Sequence, residues 1–169
     1  TLAELLREDG GDNAKAVQVG GASGHCVPAS QFGRALSYED IPTGGSVIVF
    51  GPQRDMLHVA RNFMEFFLEE SCGQCTPCRE GADWCVDILD RMAEGRARPA
   101  APETLLRICR FSSNGMTICP LGDAYALPIS SMVNKFRSEF EQRVAAAAPL
   151  PQRKLPGLPW AGERPGFGV

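Results

Sequence analysis

The segment Ser71-Cys72-Gly-Gln-Cys75-Thr-Pro-Cys78-Arg79 constrains this chain more than any other. It places three thiols within seven residues, each two residues from the next. Thiolates at that spacing, where a loop runs into a helix, can converge on one corner of a metal cluster. Gly73 permits the tight bends, and Pro77 is expected to hold back the start of the helix. Two consecutive C-x2-C steps are the ligand run of [4Fe–4S] ferredoxins, whose remaining cysteine precedes a proline and can come from elsewhere in the chain. Cys119-Pro120, 41 positions after Cys78, fits that description. The candidate metal ligands are therefore Cys72, Cys75, Cys78 and Cys119. A structural zinc site is the alternative, but four-cysteine zinc sites favour two separate C-x2-C pairs rather than three cysteines in one run.

The seven cysteines are an odd number in a chain of 169 residues. Secreted disulfide scaffolds are usually shorter and even-numbered, so clustered thiols here predict metal ligands in a reducing compartment. Cys26, Cys85 and Cys109 stand alone and are expected to be small buried apolar groups. Hydrophobic residues are 44% and charged residues 22%, close to globular averages, which excludes global disorder. A net charge of −3 argues against a surface built for nucleic acid. No apolar run reaches the 18 or so residues a membrane-spanning helix needs. The chain starts at Thr1 without Met or a leader, which predicts a fragment or processed product.

The hydrophobic pattern changes period along the chain. Residues 1–52 predict a small α+β unit: a helix opened by the capping-box pattern Thr1-Leu-Ala-Glu4, a strand at Ala16–Val19, a Gly20–Gly24 turn, and a buried strand at Ser46–Phe50. Residues 53–145 predict four helices, near Asp55–Glu69, Glu80–Ala93, Glu103–Arg110 and Pro128–Val144. Trp84 is placed on the apolar side of the second, and Pro128 in the first turn of the last. Phe63, Phe66 and Phe67 are expected in the core. Residues 146–169 carry five prolines and few large apolar side chains, and predict an extended tail lying on a partner or mobile.

Glu70-Ser-Cys72-Gly-Gln-Cys75-Thr-Pro-Cys78-Arg79-Glu-Gly81, with Thr117-Ile-Cys119-Pro-Leu-Gly-Asp123, resembles the family of NADH-binding flavoprotein subunits. That family includes the flavoprotein subunit of respiratory complex I and the diaphorase subunits of NAD-reducing hydrogenases and formate dehydrogenases. Gly20-Gly21-Ala22-Ser23-Gly24 and the Gly-Gly-Ser-Val-Ile-Val strand resemble its small β-grasp-like, soluble-ligand-binding unit. The resemblance covers about residues 1–145 and corresponds to the C-terminal portion of the family. It implies the ligand set Cys72, Cys75, Cys78 and Cys119, one [4Fe–4S] cluster, and FMN and NAD(H) bound in the parent enzyme but not by this segment. No G-x-G-x-x-G stretch opens a helix here; the Gly20–Gly24 loop leads into Cys26-Val-Pro28 instead.

The resemblance therefore implies an electron-relay segment of an NADH dehydrogenase or diaphorase, with no catalytic acid, base or nucleophile of its own. The implied partners are a flavin/NADH-binding domain or subunit, a thioredoxin-like [2Fe–2S] subunit and other iron–sulfur subunits. The implied location is cytoplasmic, or the cytoplasmic or matrix-side peripheral arm of a membrane complex. Two rivals stand beside it: a non-redox interaction module with a structural zinc, and an independent ferredoxin-like carrier. His25 and His58 are expected to be structural or exposed. Arg79 is expected either to offset the negative charge of the cluster or to serve as an ordinary interface residue.

Overall fold

The structure is a computed structural model, and it describes residues 1–145; the expected extended tail at 146–169 lies outside the described residues. Helix α1 (Leu2–Glu8) starts at the predicted capping box: the Thr1 side chain accepts from the Glu4 N–H, and the Glu4 side chain accepts from Thr1. Three short strands follow, β1 (Ala16–Val19), β2 (His25–Pro28) and β3 (Val47–Phe50). They form one antiparallel sheet in the order β2-β1-β3. The β1–β2 turn needs Gly20 and Gly21 at φ of 91° and 72°, and a Cβ on Gly24 would lie 1.7 Å from the Val19 carbonyl oxygen. The glycine loop is thus a turn joining two strands.

The central strand β1 is buried along its length, and its side chains alternate between two apolar clusters. Val17 and Val19 pack with Leu2, Leu6, Val27 and Ile41 on the α1 side. Ala16 joins Cys26, Phe50 and the helices on the other. Strand β3 differs from the expected buried strand: Ile48 and Val49 are exposed. Ile48 and Val49 lie on opposite faces of the pleat, so both faces of this edge strand meet water there.

Among the described residues five helices follow the sheet, where the sequence pattern predicts four: α2 (Met56–Glu69), α3 (Thr76–Ala93), α4 (Ala101–Ser112), α5 (Leu121–Lys135) and α6 (Arg137–Ala145). The last predicted helix divides at Phe136 and starts earlier than expected. Pro128 is inside α5 rather than in its first turn. Pro77 lies in the first turn of α3, where its missing N–H costs nothing, so it begins that helix instead of delaying it. Met132, Phe136 and Phe140 are buried as the stripe predicts, and so is Phe67. Phe66 and Trp84, expected on apolar faces, are exposed; Leu89 and Met92 take the core side of α3 as expected, together with Cys85.

Sheet and helices share a core and are joined by polar contacts. Edge strand β2 turns the Cys26 N–H to Ser131 Oγ (3.1 Å), and its carbonyl accepts from Lys135 Nζ (2.7 Å), so α5 closes that sheet edge. Glu139 on α6 accepts from the Met56 N–H (3.1 Å) and pairs with Lys15 (2.6 Å). The mixed content of helix and small sheet is the α+β class the sequence predicts. What the structure shows of the expected β-grasp-like unit is this three-stranded sheet with α1 against one face.

Candidate metal centre

The four candidate cysteines arrive on two arms. The first is the 70–75 loop with the start of α3, where Cys75 is the N-cap residue and Cys78 lies in the first turn. Gly73 makes the bend at φ 77°. The Arg79 guanidinium donates to the Gly73 carbonyl (2.6 Å) and pairs with Glu80 (2.9 Å), so it braces this loop from the helix. The second arm is the 113–120 loop leading into α5. Asp123 in the first turn of α5 accepts from the Asn114 N–H (2.7 Å), and Thr117 Oγ1 donates to the Cys119 carbonyl (2.8 Å). Asn114 is in the left-handed region at φ 59°, a conformation that suits asparagine better than most side chains.

The arms meet. The Ile118 N–H donates to Cys75 Sγ at 3.3 Å across 43 residues of sequence. On the other side of the site, Ser71 Oγ lies 3.6 Å from Cys78 Sγ. Cys78 is buried, Cys75 half-buried, and Cys72 and Cys119 exposed. Burial pushes the Cys78 thiol up; Ser71 opposes this, while the nearby thiols of Cys119, Cys75 and Cys72 add to it. Cys72, Cys75 and Cys119 are thus each within electrostatic reach of Cys78.

Two helices, α3 and α5, start beside the candidate cysteines. Neither Cys75 at α3 nor Pro120 at α5 offers a side-chain acceptor to the first turn. Their free N–H groups and the positive ends of two helix dipoles favour an anionic occupant. Cysteines free of disulfides, N–H and O–H donors already at sulfur, and two positive helix ends suit a thiolate-bound iron–sulfur group. Among the described residues, no three His, Cys, Asp or Glu side chains converge as the ligands of a single metal ion.

The remaining cysteines belong to the core. Cys26, Cys85 and Cys109 are buried. Burial pushes the Cys26 thiol up to about 12. The Cys109 thiol, hydrogen-bonded to Cys85, and burial push the Cys85 thiol up as well. Of the histidines, His58 is exposed and His25 half-buried; burial lowers the His25 pKa, with Lys135 and Arg34 adding to it. A cavity of about 510 Å³ between α4 and α5, lined by Cys109, Arg110, Asn114 and Asp123 among others, includes none of the four candidate thiols. Ser71, Thr117 and Ile118 are not among the residues that the sequence pattern singles out. Hydroxyl residues beside a cysteine run are a usable signal, whereas the Ile118 N–H carries none.

The family model described as the NADH-ubiquinone oxidoreductase-F iron-sulfur binding region matches residues 58–143. The chain belongs to that family. The chain is 38% identical over 155 residues to the F subunit of an NADH-quinone oxidoreductase of Rickettsia typhi, covering 85% of the chain and 37% of that relative. It is 39% identical over 142 residues to a mitochondrial NADH dehydrogenase [ubiquinone] flavoprotein 1 of Dictyostelium discoideum, covering 80% and 29%. Among solved structures, an NAD+-reducing [NiFe]-hydrogenase in the H2-reduced state matches with a TM-score of 0.73 and 33% identity, over 81% of this chain and 24% of that one. The chain therefore spans 29–37% of the length of these curated relatives. No helix among the described residues is long and apolar enough to cross a membrane.

Proposed function

We propose that this iron–sulfur binding region is an electron-relay segment of an NADH-oxidising or NAD-reducing flavo-iron–sulfur oxidoreductase, with Cys72, Cys75, Cys78 and Cys119 holding one [4Fe–4S] cluster. The observation that carries it is the meeting of the two cysteine arms at paired, uncapped helix N-termini. When bound, such a cluster takes up and releases one electron at a time, the step that must follow a flavin's two-electron exchange with a nicotinamide. Three cysteines on one arm and one on the other suit thiolates that each bind a different iron, whereas tetrahedral zinc favours an even division into two pairs.

The chain's own residues set the surroundings. The Ile118 N–H and the Ser71 hydroxyl stabilise charge on sulfur, which favours the reduced form. Burial of Cys78 works the other way by withholding water. Arg79 places one nitrogen on the Gly73 carbonyl and another on Glu80, so its role is to fix the loop, with its charge partly offset. The exposed Cys72 and Cys119 mark the side from which electrons enter or leave. FMN and NAD(H) belong to an adjoining flavin domain or subunit, and a thioredoxin-like [2Fe–2S] subunit and other iron–sulfur subunits are the electron partners. The matching relatives support a place in the cytoplasm, or in the cytoplasmic or matrix-side peripheral arm of a membrane complex.

Iron, sulfide and zinc content of the anaerobically purified protein tests this, with an EPR spectrum after dithionite reduction. About four Fe and four sulfide per chain and an S = 1/2 signal are expected for one cluster. One zinc without sulfide would instead leave a structural module.

A further inference from the structure

The first arm of the metal centre is anchored from behind by a helix that supplies none of the four candidate ligands. Ser112, the last residue of α4, is fully buried and is one of two buried polar residues among those described. Its Oγ donates to the Pro77 carbonyl at 2.9 Å, with the Ile108 carbonyl 3.1 Å away as the alternative acceptor. From α5, Tyr125 Oη donates to the same Pro77 carbonyl at 3.3 Å. Tyr125 is also fully buried, and burial drives its phenol pKa far up, so it stays protonated and able to donate. Three helices therefore meet at a single backbone oxygen.

That oxygen belongs to the peptide whose N–H is that of Cys78. Holding it fixes the plane from which Cys78 departs, and with it the direction of the one buried thiol of the set. Space for the two hydroxyls exists only because residue 81 is glycine: a Cβ there would lie 2.5 Å from Tyr125 Oη and 2.7 Å from Ser112 Oγ. Ser112 also reaches the second arm. A Cβ on Gly122, in the first turn of α5, would lie 2.0 Å from the Ser112 carbonyl oxygen and 2.8 Å from Thr117 Oγ1. One residue thus touches the first turn that carries Cys78 through its side chain, and the helix start that follows Cys119 through its backbone.

We propose that Ser112 and Tyr125 are positioning residues for the cluster: their hydroxyls, converging on the Pro77 carbonyl in the space left by Gly81, set the Cys78 arm against the Cys119 arm. This rests on the four cysteines being cluster ligands. Removing either hydroxyl leaves every sulfur in place but loosens the peptide that orients Cys78.

Ser112→Ala and Tyr125→Phe, made in the full-length protein and purified anaerobically, test this by two readouts: the EPR line shape of the dithionite-reduced protein, and the rate of iron release to excess chelator. Each variant is expected to bind iron and sulfide at the wild-type stoichiometry. Each should release iron about fivefold faster, the effect of one lost hydrogen bond, and alter the EPR line shape. Gly81→Ala should do the same or more. Phe140→Leu is the control, since it truncates the core on α6, whose start is tied by Arg137–Glu103 to the opposite end of α4. It should lower the melting temperature without changing the EPR signal or the release rate at a temperature well below melting. Unchanged signal and release in both hydroxyl variants would overturn the positioning role while leaving the cluster in place. Absence of iron and sulfide from the wild type would remove the cluster itself, and the positioning role with it.

Discussion

Helices α1 and α2 begin differently from α3 and α5. Thr1 caps α1 through a reciprocal pair with Glu4, and Asp55 caps α2 by accepting from the Leu57 and His58 N–H groups. At α3 and α5 the N-cap residues are Cys75 and Pro120, and neither caps its helix through a side chain. A cap is worth about 1 kcal/mol, so the second pair forgoes stability that the first pair takes. Lack of a cap alone is no sign of a site, because α4 starts at Ala100 without one and no candidate cysteine lies there. The informative feature is that two uncapped ends meet four thiols. There, unused N–H groups favour a bound anion, and under the proposed function that anion would supply what a serine or aspartate supplies elsewhere.

The sharpest break of this contrast is to remove the anion's ligands. Cys75→Ser or Cys78→Ser should abolish the cluster, with iron and sulfide falling from about four each per chain towards zero. The melting temperature should fall towards that of the wild-type apoprotein, as both would lose the same occupant of the two helix ends. Equal melting temperatures for wild-type apo- and holoprotein would contradict the dependence of α3 and α5 on it.

Packing comes next in size. Gly122→Ala places a methyl 2.0 Å from a backbone oxygen, so the start of α5 must move. A loss of at least about 1–3 kcal/mol is expected from chemical denaturation, together with weaker iron retention. A Cβ on Gly10, by contrast, meets nothing within 4 Å, although its φ of 74° still disfavours alanine. Gly10→Ala should cost about 1 kcal/mol and leave iron content unchanged.

How far the sequence reveals the molecule follows the same division. The capping box of α1, strand β1 and the stripe Met132–Phe136–Phe140 are local patterns, and each is found where its spacing places it. The start of α5 is hidden because Pro120 and Gly122 read as helix breakers and Pro128 reads as a first-turn proline. Gly122 is needed for close approach to Ser112, and Pro128 is accommodated inside the helix, requirements visible only once α4 lies alongside. Trp84 and Phe66 escape the pattern for a related reason: periodicity identifies an apolar residue but not which neighbour is left to cover it. The convergence on the Pro77 carbonyl joins residues 35 and 48 positions apart and leaves no periodic trace.

The capped ends give a smaller prediction, with a definite pH sign. Burial would raise the Asp55 pKa, but the Arg143 guanidinium and the Leu57 N–H outweigh it and hold the carboxyl below the ordinary carboxylate range. A depressed folded pKa contributes stability that is complete above the unfolded value of about 4 and is lost as pH falls through the folded one. Asp55→Ala should therefore cost about 1–2 kcal/mol near neutral pH, and the difference from wild type should shrink below about pH 4. Denaturant titrations of both proteins across that range check this. The smallest effect is expected at Cys26, whose thiol is buried beside α5 and remote from the site. Cys26→Ala should leave the iron and sulfide content unchanged.

The contact between Ser112 and Gly122 bears on what could be transplanted. A protein engineer who moved only the cysteine loop into a new scaffold would carry over three sulfurs and leave behind the groups that aim them. The smallest transferable piece is α3 through the start of α5, with Gly81, Ser112, Gly122 and Tyr125 kept in register. The intervening α4, which donates no sulfur to the set, would be the part most tempting to trim and the costliest to lose.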